Sequence, residues 1–345
     1  MNWLNTEISL PSDQYYQRAL VRQSQLTKPK GALGLLEEIA VRLAAMQKSD
    51  NPQADAVWIS IFVADHGIAQ ESVSLFPQSV TGEMLSNFVN GGAAINVLAR
   101  QVKAKLEVID NGVLTPIDSS TIINERAGAG TANFLQYKAM TDAQLDKALM
   151  SGKASLTRAM SYGTQLYLGG EMGIGNTTSA SACASAILGV DVIELTGAGT
   201  GLDNKAILRK AEIISRGIDR HSRDLVNPLA ILQCLGGFEI AALVGAFLHA
   251  AQLQIPVIVD GFIATVAALI VAKMQPNASH RFFYAHCSKE KGHQLILKSL
   301  AAKPILDVNM RLGEATGAAL VIPIIRSACA LHNQMATFEQ AKISR

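Results

Sequence analysis

The clearest pattern in the chain is the apolar, β-branched run VWISIFVAD at 57–65, which ends on an acid. A strand buried on both faces does not alternate and stops where the chain meets a polar loop, so this run predicts a central strand of a parallel sheet. Shorter runs at 106–109, 166–168 and 256–259 predict further strands of the same kind. Between them, apolar residues recur at helical spacing over 78–87, 93–102 and 142–160. The last of these opens on Thr141 with Gln144 three residues on, the spacing of a capping box. Two more helices are predicted ahead of the first strand: 13–23, carrying Tyr16, Ala19 and Leu20 among polar residues, and 33–46, after Pro29 and Gly31.

Strands alternating with helices predict an α/β fold built on a doubly wound, mainly parallel, Rossmann-like sheet. The first ~50 and last ~30 residues read as helical only. Residues 1–50 and 315–345 are therefore expected to form a small helical lobe, and 51–314 a large α/β domain carrying the active-site loops. No internal repeat or low-complexity linker divides the chain.

Composition narrows the possibilities. With 345 residues, 49% hydrophobic, 17% charged and a formal net charge of +2, disorder is excluded for most of the chain. A near-neutral balance without basic runs argues against a nucleic-acid partner. The apolar run 240–259 is the one candidate for a membrane span, but His249, Gln252, Gln254 and Pro256 interrupt it and Asp260 ends it. A span needs about 20 mainly apolar residues, so the run reads as a buried helix followed by a buried strand. The opening residues lack the basic start and apolar stretch of a signal peptide, which predicts a cytoplasmic location. The four cysteines show no CxxC pairing and the seven histidines no HExxH or HxH spacing, so no disulfide framework, metal or cofactor site is expected.

In an open α/β sheet, ligands bind in the loops after the strands. Five such loops have unusual compositions. LGGEMGIGNTTSAS (168–181) runs through Gly169, Gly170, Gly173 and Gly175 into an Ala/Ser-rich helix, which suits either a tight connection or an anion at a helix N-terminus. Glu171 among the glycines favours a functional role. TGAGTGLDNK (196–205) ends on Lys205, which is either a solvated surface lysine or, if the turn faces the first loop, an anion ligand. In MRLGEATGAA (310–319), Glu314 is either a charge at a helix N-terminus or a partly desolvated acid fit to act as a general base. Glu171 and Glu314 form a candidate carboxylate pair. VDGFIAT (259–265) offers a single acid, Asp260, without the paired acids that serve a magnesium pyrophosphate donor. The remaining loop, 64–84, is long and mixed.

Taken together, the ordered motifs resemble one family, the nicotinate-nucleotide:dimethylbenzimidazole phosphoribosyltransferases of cobalamin lower-ligand synthesis, the CobT family. The resemblance runs over nearly the whole chain: LTKPKGALGLLEEIA at 26–40, ADHGI at 64–68, FPQSVTGEM at 76–84, NFVNGGAAINVLAR at 87–100, GTANF at 130–134 and GEMGIGNTTSASA at 170–182. It continues with GTGLDNK at 199–205, LGGFEIAA at 235–242, PVIVDGFIAT at 256–265, AHCSKEKGH at 285–293 and RLGEATGAAL at 311–320.

The resemblance implies transfer of the ribose phosphate of nicotinate mononucleotide to a ring nitrogen of 5,6-dimethylbenzimidazole, giving α-ribazole 5′-phosphate and nicotinate by a single inverting displacement. It implies Glu314 as the base that takes the acceptor's N–H proton, with Glu171 as a supporting acid. Gly173, Gly175, Asn176, Thr177, Thr178, Lys205, Asp260, Gly261, Ser288 and Arg311 are the implied phosphate and ribose ligands. Phe76, Met84 and Leu312 are the implied lining for the acceptor base, and a homodimer is implied. The chain departs from the family at Ala315, where RLGEG is common, at Ala198, where GRGTG is common, and at Phe76, where some members are polar. These departures bear on acceptor preference. A different acceptor (adenine, another benzimidazole or a phenol) and a non-enzymatic nucleotide-binding regulator are the competing readings. A dehydrogenase is disfavoured because no GxGxxG follows the first strand.

Overall fold

The computed structural model describes residues 2–344. Its centre is a sheet of seven parallel strands: β1 Val57–Ala64, β2 Lys105–Gly112, β3 Ile122–Asn124, β4 Leu166–Met172, β5 Val257–Val259, β6 Phe282–His286 and β7 Pro304–Leu306. They lie in the order β3-β2-β1-β4-β5-β6-β7, so the chain winds outward in one direction from β1 and in the other from β4. This is the doubly wound α/β arrangement that the strand and helix alternation predicts.

Side chains alternate across β1 as a strand's period of two requires. Trp58 and Phe62 join an apolar layer with the Asp142–Ser161, Phe238–Gln252 and Phe262–Met274 helices. Val57, Ile59, Ile61 and Val63 join the opposite layer with the Leu35–Gln47 and Thr316–Gln334 helices. The run 240–259 resolves into the end of a buried helix and β5, and no helix among the described residues is long and apolar enough to cross a membrane. Thr141 and Gln144 make both bonds of the capping box.

The chain ends meet. Arg22 Nε donates to the His332 carbonyl at 2.6 Å, Gln23 reaches the His332 ring at 2.9 Å, and Leu26 pairs with Thr337. The Thr316–Gln334 helix also packs into the apolar layer of the sheet, which ties the chain ends to the strands that carry the site.

Three strands escaped the sequence pattern. β3 and β7 are three-residue edge strands with no fully buried position, so no apolar run marks them. β6 is a five-residue aromatic stretch directly after a turn. β4 runs four residues past its predicted end, through Gly169 and Gly170, residues that ordinarily weaken a strand. Both glycines answer to close packing. A methyl at Gly169 would meet Phe247 Cε1 at 2.7 Å, and one at Gly170 would meet the Ala315 nitrogen at 2.5 Å.

Candidate active site

Because the winding direction reverses between β1 and β4, the loops leaving their carboxyl ends diverge and leave a crevice. A cavity of about 390 Å³ lies there, walled by the segments after β1, β4, β5, β6 and β7. Its volume suits a small aromatic ligand or nucleotide.

Of the residues singled out in the sequence, Phe76, Met84, Glu171, Gly173, Gly175, Asn176, Thr177, Asp260, Gly261, Ser288, Arg311, Leu312 and Glu314 line this one cavity. Two do not. Thr178 is fully buried, with its side chain turned into the core one residue beyond the cavity wall, and its hydroxyl has no partner among the described residues. Lys205 is exposed in the first turn of the Asn204–His221 helix and points to water rather than to the site. The buried cation comes from further along that helix. Lys210 is 1% exposed, and its Nζ donates to Thr177 Oγ1 at 2.8 Å. Burial lowers its pKa to about 8, opposed by the nearby Glu290 carboxylate. A lysine on a helix five places beyond a loop motif has no local mark in the sequence except its helical phase.

The anion-binding features sit on one side. The Asn176–Leu188 helix starts without a side-chain cap, and Gly175 before it has φ 99°. Its first turn holds Thr177, with Lys210 behind. The facing turn, 197–201, comes close enough that a methyl at Gly199 would lie 3.0 Å from Thr177 Oγ1. Ala198 supplies no charge to this turn, but Arg311 Nη1 donates to the Gly199 carbonyl at 2.6 Å, so a cation reaches the turn from the opposite loop. The Phe262–Met274 helix also opens onto the cavity without a side-chain cap, from Gly261. Helix N-termini and buried cations together favour an anion.

The other side is apolar at its rim and acidic at its floor. Val73, Phe76, Val80, Met84 and Leu312 form the rim, with Phe76 54% and Leu312 58% exposed. Three carboxyls converge below. Burial raises Glu314 to about 7, countered only by a backbone hydrogen bond from Ile95, and its Oε2 has no partner among the described residues. Burial raises Glu171 well above the carboxylate range, reinforced by the charges of Glu239, Asp260 and Glu314 and opposed by the Asn176 amide that donates to Oε2. Asp260 is raised to about 7 by burial, against backbone hydrogen bonds that include Ala318 N to Oδ1 at 2.8 Å. Asp260 therefore caps the Thr316–Gln334 helix from another loop and secures the turn before it. Like charges this close do not all ionise together, so the floor holds protons near neutral pH.

That turn is unusual. Gly313, Glu314 and Ala315 have φ of 88°, 59° and 56°, all left-handed, and the last two are not glycine. Each non-glycine residue costs roughly 1 kcal/mol there. The turn lies directly against β4, where Gly170 leaves no room for a side chain under it. Ala315 buries its methyl in the apolar layer rather than in the cavity. His286, another cavity residue that sequence spacing did not mark, packs its ring against Gly261 and Gly317, and burial lowers its pKa.

Comparison with known proteins identifies the family. The family model for phosphoribosyltransferases of the DBI_PRT type matches residues 8–343. The chain belongs to this family. Among its relatives, the nicotinate-nucleotide–dimethylbenzimidazole phosphoribosyltransferase of Pseudomonas fluorescens is 51% identical over 343 residues, 99% of this chain and 97% of that one. The protein of the same name from Xanthomonas oryzae pv. oryzae is 50% identical, covering 99% of both chains. The crystal structure of the Thermus thermophilus enzyme of that name superposes with a TM-score of 0.92 at 37% identity, over 97% of this phosphoribosyltransferase and 99% of its own chain.

Proposed function

We propose that this phosphoribosyltransferase moves ribose 5-phosphate from nicotinate mononucleotide to 5,6-dimethylbenzimidazole, with Glu314 as general base. The observation that carries the reading is the Glu314 carboxyl, buried beneath an apolar rim, with one oxygen unpartnered among the described residues and a pKa near 7. A base tuned to the working pH is half-ionised where it must accept a proton, and such groups contribute about 10² to 10⁴-fold.

The chemistry balances without another co-reactant. Glu314 takes the acceptor's N–H proton and a ring nitrogen forms the bond to C1′. The bond from C1′ to the pyridinium nitrogen breaks, and its electron pair neutralises the departing ring. The phosphate is assigned to the first turn of the Asn176–Leu188 helix, with Gly173, Gly175, Asn176, Thr177 and the Lys210 ammonium. Gly261, Ser288 and Arg311 border the ribose, and Asp260 acts by holding the Glu314 turn. Glu171, its pKa raised by burial and by the neighbouring carboxylates, donates a hydrogen bond within the site. Phe76, Met84 and Leu312 cover the planar acceptor, and an apolar rim favours a benzimidazole over a purine or phenol. The enzyme is assigned to the cytoplasm as a homodimer, a reading supported by Tyr16, Leu20 and Val21 exposed on the Asp13–Gln25 helix.

The test is nicotinate release from nicotinate mononucleotide with dimethylbenzimidazole as acceptor. Release that depends on the acceptor and collapses in Glu314→Gln supports the reading. No release, a Glu314→Gln rate equal to wild type, or strong preference for adenine overturns it.

A further inference from the structure

Beneath the site lies a histidine to which the reaction above gives no part. His66 follows β1, is 0% exposed and does not touch the cavity. Its Nε2 lies 2.7 Å from Glu239 Oε1, and its Nδ1 lies 3.0 Å from Ser179 Oγ. Both rings of contact close on the same segment. Methyls placed on Gly173 and Gly175 would each lie 3.3 Å from His66 side-chain atoms, and Ser179 is in the helix that follows them. The His66 carbonyl also accepts from Gln78 Nε2 at 2.8 Å, which ties the loop bearing Phe76 to the same residue. Two glycines of the anion-binding turn, Gly173 and Gly175, and Ser179 just after it thus pack against one histidine.

Glu239 is as buried as His66, and its Oε2 has no partner among the described residues. Glu239 lies in the first turn of the Phe238–Gln252 helix, where a carboxylate suits the helix dipole, and it gives the buried His66 ring its partner. The pair also fixes a carboxylate whose charge acts on Glu171. The groups facing it are known: Asp65 beside His66, the Cys183 thiol beside Glu239, and Asp260 and Glu314 beyond Glu171.

We propose that His66, locked by Glu239, is the positioning residue of this site: it holds the turn of Gly173 and Gly175 in its ligand-binding shape and keeps the Glu239 carboxylate in place behind Glu171. The proposal rests on the reaction assigned above. His66→Asn keeps a group near Ser179 but loses Glu239, whereas His66→Gln keeps a group near Glu239. The expected result is a kcat about 100-fold down in His66→Asn, the scale of an ångström's misplacement of a catalytic group, with at least about tenfold of it recovered in His66→Gln. Glu239→Gln removes a negative charge acting on Glu171, so the alkaline limb of its kcat/KM profile, where Glu171 loses its proton, moves to lower pH.

Wild-type kcat in His66→Asn overturns the proposal. So does equal loss in the Asn and Gln variants together with an unmoved alkaline limb in Glu239→Gln, which is the mark of packing alone. Should His66→Asn fail to fold, the Glu239→Gln profile decides. If wild-type protein releases no nicotinate, the assigned reaction fails by itself. Calorimetric binding of nicotinate mononucleotide then judges His66: affinity weakened in His66→Asn and recovered in His66→Gln supports the proposal, and wild-type affinity in His66→Asn or equal weakening in both variants overturns it.

Discussion

Glu107 and Glu314 are both buried glutamates, 8% and 4% exposed, and they have opposite surroundings. Glu107 sits on β2, paired in register with Ser60 of β1. It accepts from Ser60 Oγ at 2.8 Å, Ser155 Oγ at 2.6 Å and Arg158 Nε at 2.7 Å, the last two from successive turns of one helix. Every partner is fixed by regular secondary structure. Glu314 stands past the carboxyl end of β7 in a left-handed turn, with one oxygen unmatched among the described residues. The first carboxylate has its charge answered and serves as a strut. The second retains an affinity for a proton. Burial alone does not distinguish structure from chemistry; the completeness of the partners does.

Exchanging the two conditions tests the contrast. The largest effect is expected at Glu314→Gln, with kcat/KM lower by about 10² to 10⁴-fold. Wild-type kcat/KM should rise with pH through about 7 as Glu314 ionises. Stability carries the opposite sign. Folding raises this carboxyl from 4.5 to about 7, so the folded state holds the proton more tightly. That contribution is present below the unfolded value and lost as pH climbs through the folded one. Urea titrations at about pH 5 and about pH 8 should therefore show Glu314→Gln losing less stability across the interval than wild type, by up to about 2 to 3 kcal/mol.

Arg158→Met is the converse. It leaves Glu107 buried without its ion pair and should cost about 2 to 3 kcal/mol by denaturant midpoint, allowing for the water that screens the partly exposed guanidinium, with kcat unchanged. A buried charged donor lost from the anion side comes next. Lys210→Met should raise KM for nicotinate mononucleotide by about 10 to 100-fold, while the exposed Lys205→Met stays within about twofold. The smallest effect belongs to Ala315→Gly, which relieves a left-handed residue and should change thermal stability by at most about 1 kcal/mol.

The features legible in the sequence were those with a short period. β1 announced itself by eight consecutive buried residues, and the 142–161 helix by its cap. Glu171 and Glu314 were legible because an acid among glycines is rare in a packed core. Lys210, His66 with Glu239, and His286 were not, because each acquires its role from an element distant in sequence: Thr177, Ser179 and Gly261 are brought to them by the sheet. Lys205 misled for the same reason. A loop motif carries it to the right helix, but helical phase turns it to water while Lys210 faces inward.

Gly170 bears on how the enzyme responds to heat. The backbone of Glu314 rests on β4 where a methyl would overlap it, so the base is referenced to the most buried layer of the molecule although it belongs to a loop. Surface loops loosen well before a central sheet does. The base should therefore keep its aim through temperatures at which the exposed rim around Phe76 and Leu312 already fluctuates, and warming should erode acceptor affinity before it erodes the chemical step.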